Sequence, residues 1–419
     1  GNCVDVLRWL LDAGADPVSP SSRTPLVVDA TIRGRTTLLE LLLEAKVDPN
    51  QEHNELTAVA HAVENNSADS LKILLDAGGD PNAAGAGGKS LLLGPAGRGQ
   101  TEVLRVLLEA GADADGGAGA GDTPLLVAVE QDSPEALSLI LAARADPNRR
   151  SGSGATPLLA AATNGRAEAL RMLLEASADP CQDCPLLHAA RAEEDTMVGL
   201  LLEARADANQ AQDDGTTPVH VAAQGDHAGS LRRLLEAKGD ANAKVEGGAS
   251  LVMEAAQRGS AEILEALLKA GAPAAGALDA AVREDRGGVV QALLEAGADA
   301  SGPLGDGSAP ILVAAASNSI DALGALLAAK ADPNWAGEDG STPLLAAADA
   351  GHTAALELLL KAGASLAQQP AGGASPVAAA AKNGHADALC CLLAAGGDPS
   401  LAKAAAPSPN AADRKSPLA

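Results

Sequence analysis

Residues 217–242 read TPVHVAAQGDHAGSLRRLLEAKGDAN, and versions of this stretch recur on both sides of it along the 419-residue chain. Aligning the chain with itself places Pro25, Ala58, Leu91, Pro124 and Pro157 in one column at 33-residue steps. Pro185, Pro218 and Leu251 continue that column, and so do Ala277, Pro310, Pro343 and Pro376. A period between 20 and 50 residues marks a repeat architecture, in which length counts tiles and does not measure the size of one core.

Each tile follows one grammar. Thr217, Thr156 and Thr342 stand where a helix start leaves backbone N–H groups unpaired, and the proline that follows lacks only an N–H that would be orphaned anyway. Gly165, Gly351 and Gly384 supply the turn between two helices, and Gly111, Gly271, Gly297 and Gly363 the left-handed stop after the second. In the second helix Leu170, Leu173 and Leu174 fall at i, i+3 and i+4, one apolar stripe that a lone helix cannot bury. Trp9 falls in the column used elsewhere by Ile73, Val106 and Met172 and reads as a core residue. Cys390 and Cys391, in the last tile's second helix, read as buried thiols.

This grammar resembles the ankyrin repeat, whose marker is T-P-L-H-x-A at a period of 33. Thr217-Pro218-Val219-His220-Val221-Ala222-Ala223 is the nearest copy, followed by Thr342-Pro343-Leu344, Thr123-Pro124-Leu125, Thr156-Pro157-Leu158 and Thr24-Pro25-Leu26. The resemblance implies an all-α solenoid of stacked helix-turn-helix units with β-hairpin-like connecting loops, spanning residues 1–400. Residues 1–17 read as a partial repeat, so the chain reads as a fragment. Repeats begin near 24, 57, 90, 123, 156, 184, 217, 250, 276, 309, 342 and 375, and residues 401–419 read as a disordered tail. The steps into the tiles at Pro185 and Ala277 are short, which predicts trimmed hairpins there.

Composition narrows the function classes. Leu, Ala and Val must build the interior, because the chain has no Phe, no Tyr and two Trp. A net charge of −25 argues against a phosphate-binding surface and leaves a basic protein partner as the better fit. Much of that charge is periodic, as in Glu109 with Asp113 and Glu236 with Asp240, and reads first as a solvated edge. Five cysteines at irregular spacing fit a reducing compartment, cytoplasmic or nuclear. Every apolar run is interrupted by charge or glycine, so no membrane insertion is expected.

The motifs that suggest chemistry sit in the wrong context. Residues 83–90, AAGAGGKS, match a relaxed phosphate loop, yet a helix end precedes them and not a strand. Cys181 and Cys184 have the spacing of half a zinc site or a redox pair, but His188 is the only nearby further ligand. Asp113, Asp115 and Gly117 begin a calcium-loop pattern that lacks its later acids. No catalytic, cofactor or metal set is assigned. The resemblance assigns His220 a hydrogen bond to neighbouring backbone, and it marks Asn50, Asn82, Asn148, Asn209, Asn242 and Asn334 as the column open to asparaginyl hydroxylation.

What remains is surface. The resemblance implies that a protein partner is read by a monomeric scaffold along the hairpin tips and the exposed side of the first helices. The tip positions least bound by the grammar are His53, Arg149, Arg150, Lys244, Glu246, Trp335, Glu338 and Asp339, with Trp335 foremost because tryptophan is enriched among binding anchors. The other reading is a targeting or regulatory arm of a larger enzyme or channel.

Overall fold

The structure is a computed structural model describing residues 6, 8–9, 24–116, 121–243, 249–274, 276–305, 307–367 and 375–405. It divides into two compact units, 1–210 and 211–419. The first holds six helix pairs, from Leu26–Ile32 with Thr36–Glu44 to Pro185–Arg191 with Asp195–Glu203. The second holds six more, from Pro218–Gln224 with Ala228–Glu236 to Pro376–Asn383 with Ala386–Ala394, and then a closing helix, Pro399–Ala405. That last helix packs on Pro376–Asn383, so the array runs five residues past the point where the sequence pattern is lost. Residues 406–419 of the expected tail lie outside the described residues.

Every second helix is nine residues long, too short to persist alone in water. Their buried pairs lie at i, i+3, such as Leu71 with Leu74, Leu104 with Leu107, and Leu264 with Leu267. First helices present small buried residues, Ala58, Ala60 and Ala62 or Ala160, Ala161 and Ala162, which allow close approach. Their starts are capped as expected: the hydroxyls of Thr57, Thr123 and Thr156, and of Thr217, Ser250, Thr342 and Ser375, accept the N–H three residues on.

Two expectations about packing fail. Trp9 is 69% exposed; Ile73, Val106 and Met172 in its column are themselves only half-buried, so the column lies at the rim and an indole there projects outward. Cys390 is exposed and Cys391 half-buried, because Ala388 and Leu392 take the interior positions of that helix. Burial pushes the Cys391 thiol pKa up.

Side chains tie tile to tile along two edges. On the loop edge of the first unit, Asp48, Asp80, Asp113, Asp146 and Asp179 each accept the N–H two residues on, closing a tight turn. The residue so placed then reaches the next tile. Asn50 Oδ1 accepts the N–H of Asp80 at 2.8 Å, Asn82 that of Asp113 at 2.7 Å, Asp115 that of Asp146 at 2.8 Å, and Asn148 that of Asp179 at 2.7 Å. The periodic aspartates are therefore turn closures. In the second unit the loop-edge bond recurs from Ser365 N–H to Asn334, whereas the same 31-residue register assigns Asn242 the position of Pro273, which has no N–H to give. There the opposite edge is stapled instead. Arg258 donates to the carbonyls of Ala223 and Gln224, Arg286 to Gln257, His352 to Ala315 and His385 to Asp349, satisfying carbonyls that a helix end leaves open.

His220 is 1% exposed. The expected bond from its ring to backbone is absent at Nδ1, which has no partner, and its backbone N–H goes to Thr217. Burial lowers its pKa against the pull of Glu254 and Asp214. A lowered pKa means that the folded state favours neutral imidazole, so this contribution to stability is intact above the unfolded value near 6.5 and is lost as pH falls below it.

Asn82→Ala removes two inter-tile bonds, to Asp113 N–H and to the Gly111 carbonyl, and should cost about 1–2 kcal/mol by chemical denaturation. Asn242→Ala should cost under about 0.5 kcal/mol. His220→Leu, which installs the residue found at Leu126, Leu159 and Leu345 of the same column, should at least halve the drop in melting temperature between pH 7.5 and 5.

Candidate interaction surface at the loop tips

One turn geometry is repeated at the tips. Residue i donates its N–H to the carbonyl of i+4, and i+3 donates back to i, at 85–89, 151–155, 212–216, 304–308 and 337–341. The i+3 position is glycine each time, Gly88, Gly154, Gly215, Gly307 and Gly340, with φ between 73° and 85°, a left-handed conformation that other residues adopt at a cost. The tip at Glu52–Thr57 differs. It is a two-stranded antiparallel ladder pairing Glu52 with Thr57 and His53 with Leu56, closed by Asn54 and Glu55 at φ 53° and 64°. Among the described residues it is the one hairpin whose sides pair as strands.

In the first unit the tip residues face their neighbours as well as solvent. His53 Nε2 lies 3.5 Å from Thr24 Oγ1, and His61 donates to the His53 carbonyl at 3.3 Å. Arg149 lies 3.8 Å from Asp115 of the preceding tile, while Arg150 pairs with Asp183 of the following one and donates to the Gly154 carbonyl. The Gly152 N–H bonds to the Gly121 carbonyl at 3.0 Å, joining successive tips through backbone. These contacts open a cleft of about 520 Å³ whose walls include Lys89, Asp113, Asp115, Asp122, Arg149 and Ser153. Lys89 and Asp122 are exposed and form no ion pair among the described residues. The pattern at 83–90 signalled this place for the wrong reason. The loop follows a helix and carries a 3₁₀ turn, Ala86–Gly88, and three carboxylates in the walls oppose a polyanion.

In the second unit Trp335 is half-buried. Its six-membered ring lies over Gly337 of the same loop, where an added Cβ would come within 3.4 Å of it. Glu338 and Asp339 are exposed. The Ser341 hydroxyl and N–H, at 2.7 and 2.9 Å, hold the Asp339 carboxyl below the usual carboxylate range. Lys244 and Glu246 lie outside the described residues. The seventh position of the first helices adds exposed polar groups: Glu64, Glu130 and Arg191 in the first unit, and Gln224, Gln257, Arg283, Asp349 and Lys382 in the second.

The remaining chemical candidates fold into local structure. Asp113 and Asp115 are spent on the turn and the inter-tile bond described above, and Gly117 of that pattern lies outside the described residues. No group of three or more His, Cys, Asp or Glu among the described residues could hold a metal ion. Cys181 and Cys184 are half-buried and not joined in a disulfide, and His188 Nδ1 bonds to the Cys184 carbonyl. No helix among the described residues is long and apolar enough to cross a membrane.

Comparison with known proteins agrees with this architecture. The family described as ankyrin repeats (3 copies) matches residues 1–85, 92–184, 125–212, 186–275 and 311–403. The human ASB11 ankyrin repeat domain is similar in structure at 24% identity and a TM-score of 0.42, over 52% of this chain and 99% of that one. No curated protein matches. Ankyrin repeats are generally protein–protein interaction modules, and with family matches extending over most of its length this chain belongs to the ankyrin repeat family.

Proposed function

We propose that the array is a protein-interaction scaffold that reads its partner with the loop tips and the exposed seventh positions of the first helices, and performs no chemistry of its own. The observation that carries this reading is the contrast within each tip. The backbone bonds and the left-handed glycine are the same at 85–89, 151–155, 212–216, 304–308 and 337–341, while the side chains carried on them differ from tile to tile. A fixed frame with variable side chains is how a surface gains specificity without loss of stability.

The partner is a protein with cationic groups. The exposed Asp122 and Glu338 are acidic groups at the tips, unlike the turn-closing aspartates, Asp339 among them, whose carboxylates are already engaged. Arg149 and Arg150 act by holding the tips in register, and Trp335 supplies an apolar surface at its loop. The chain works as a monomer in a reducing compartment, cytoplasmic or nuclear.

The test uses a captured partner and matched variants. Asp122→Lys combined with Glu338→Lys should weaken binding at least tenfold and flatten its salt dependence, and Trp335→Ala should weaken it further, with helicity and melting temperature unchanged. Lys361→Glu, on a second helix, should leave affinity as it was. Loss of binding with Lys361→Glu, alongside unaltered binding by the tip variants, would place recognition on the other face.

A further inference from the structure

The tile entered at Pro185 gives up two structural roles to cysteine, three residues apart. At position 181 the preceding tiles carry Asn50, Asn82, Asp115 and Asn148, each of which accepts an N–H from the next tile. Cysteine is a poor acceptor there. Instead the contact runs backward, from Gln210 Nε2 to the Cys181 carbonyl at 2.6 Å. At position 184 seven other tiles carry a capping Thr or Ser. Cys184 makes no side-chain cap and enters its helix from the left-handed region at φ 53°, preceded by Asp183 at φ 64°. What stands in place of those contacts is a pair of half-buried thiols on one turn.

We propose that Cys181 and Cys184 are a redox-active dithiol that a low-molecular-weight disulfide, such as glutathione disulfide, converts to an intramolecular disulfide. The thiolate of one cysteine attacks a sulfur of the glutathione disulfide, forming a mixed disulfide and releasing one glutathione thiolate. The other cysteine's thiolate then attacks the protein sulfur of that mixed disulfide and displaces the second glutathione. The two cysteine thiols are oxidised, two glutathione thiols are produced, and the two protons pass to the released thiolates. The two cysteines stand three positions apart on the turn at 180–183, and it is a reversal of the chain of this kind that lets near neighbours in sequence approach as a disulfide requires. By contrast Cys390 and Cys391 are consecutive on a helix, where the two side chains diverge and cannot pair without unwinding. The same turn carries the ion pair from Arg150 and the bond from Gln210. Closing the ring therefore fixes the point where the preceding and following contacts meet.

The test titrates the full chain in glutathione buffers, traps thiols by alkylation and maps peptides by mass. The expected result is a reversible loss of two hydrogens confined to the peptide holding Cys181 and Cys184, with at least tenfold slower amide exchange over 179–187. Cys181→Asn leaves Cys184 to take up one glutathione, and should fold at least as stably as the parent because it restores the inter-tile acceptor. Alkylatable Cys181 and Cys184 at an excess of glutathione disulfide that modifies Cys390 would overturn the proposal. So would a Cys181→Asn variant whose Cys184 takes up no glutathione. A disulfide that leaves exchange unchanged would overturn its coupling to the neighbouring tiles.

Discussion

No tile of this protein can bury its own apolar surface. A nine-residue helix is far below the length at which backbone hydrogen bonding repays the cost of nucleation, and the buried pairs such as Leu104 with Leu107 need a neighbouring helix pair to leave water. Stability is therefore an interface property, summed over nearest neighbours within each unit. With small apolar residues supplying most of the interior, the polar contacts between tiles carry more weight than they would in a core filled with aromatics.

Those contacts are distributed unevenly. The first unit is tied along the loop edge by Asn50, Asn82, Asp115 and Asn148, and the second mainly along the opposite edge by Arg258, Arg286, His352 and His385. The consequence for function lies at the tips. Where the loop edge is pinned, the tips come as a preformed surface, as around Lys89 and Arg149.

Much of the fold was legible in the sequence because the period is strong and its punctuation is physical. Thr217 before Pro218, or Gly111 after a Leu-rich run, each answer a backbone need that any helix has. The site was legible only as a region. The place of Trp335 in a loop pointed to a binding anchor, but nothing in the sequence shows that its ring lies over Gly337. Trp9 was misread because a column position does not say whether it lies at the centre or the rim of a stripe. The periodic aspartates looked like a charged edge, since sequence cannot distinguish a carboxylate facing water from one that closes a turn two residues on. His220 is the converse case: the motif predicted a satisfied ring, and Nδ1 is buried without a partner.

The loop-edge polar residues act as structural ties between tiles. Residue-resolved amide exchange tests that role most directly. The N–H groups of Asp80, Asp113, Asp146 and Asp179, each held by a side chain of the preceding tile, should be protected to nearly the same extent as the buried helix amides of their own tiles. Exchange of those four amides at the rate of an open loop would contradict it.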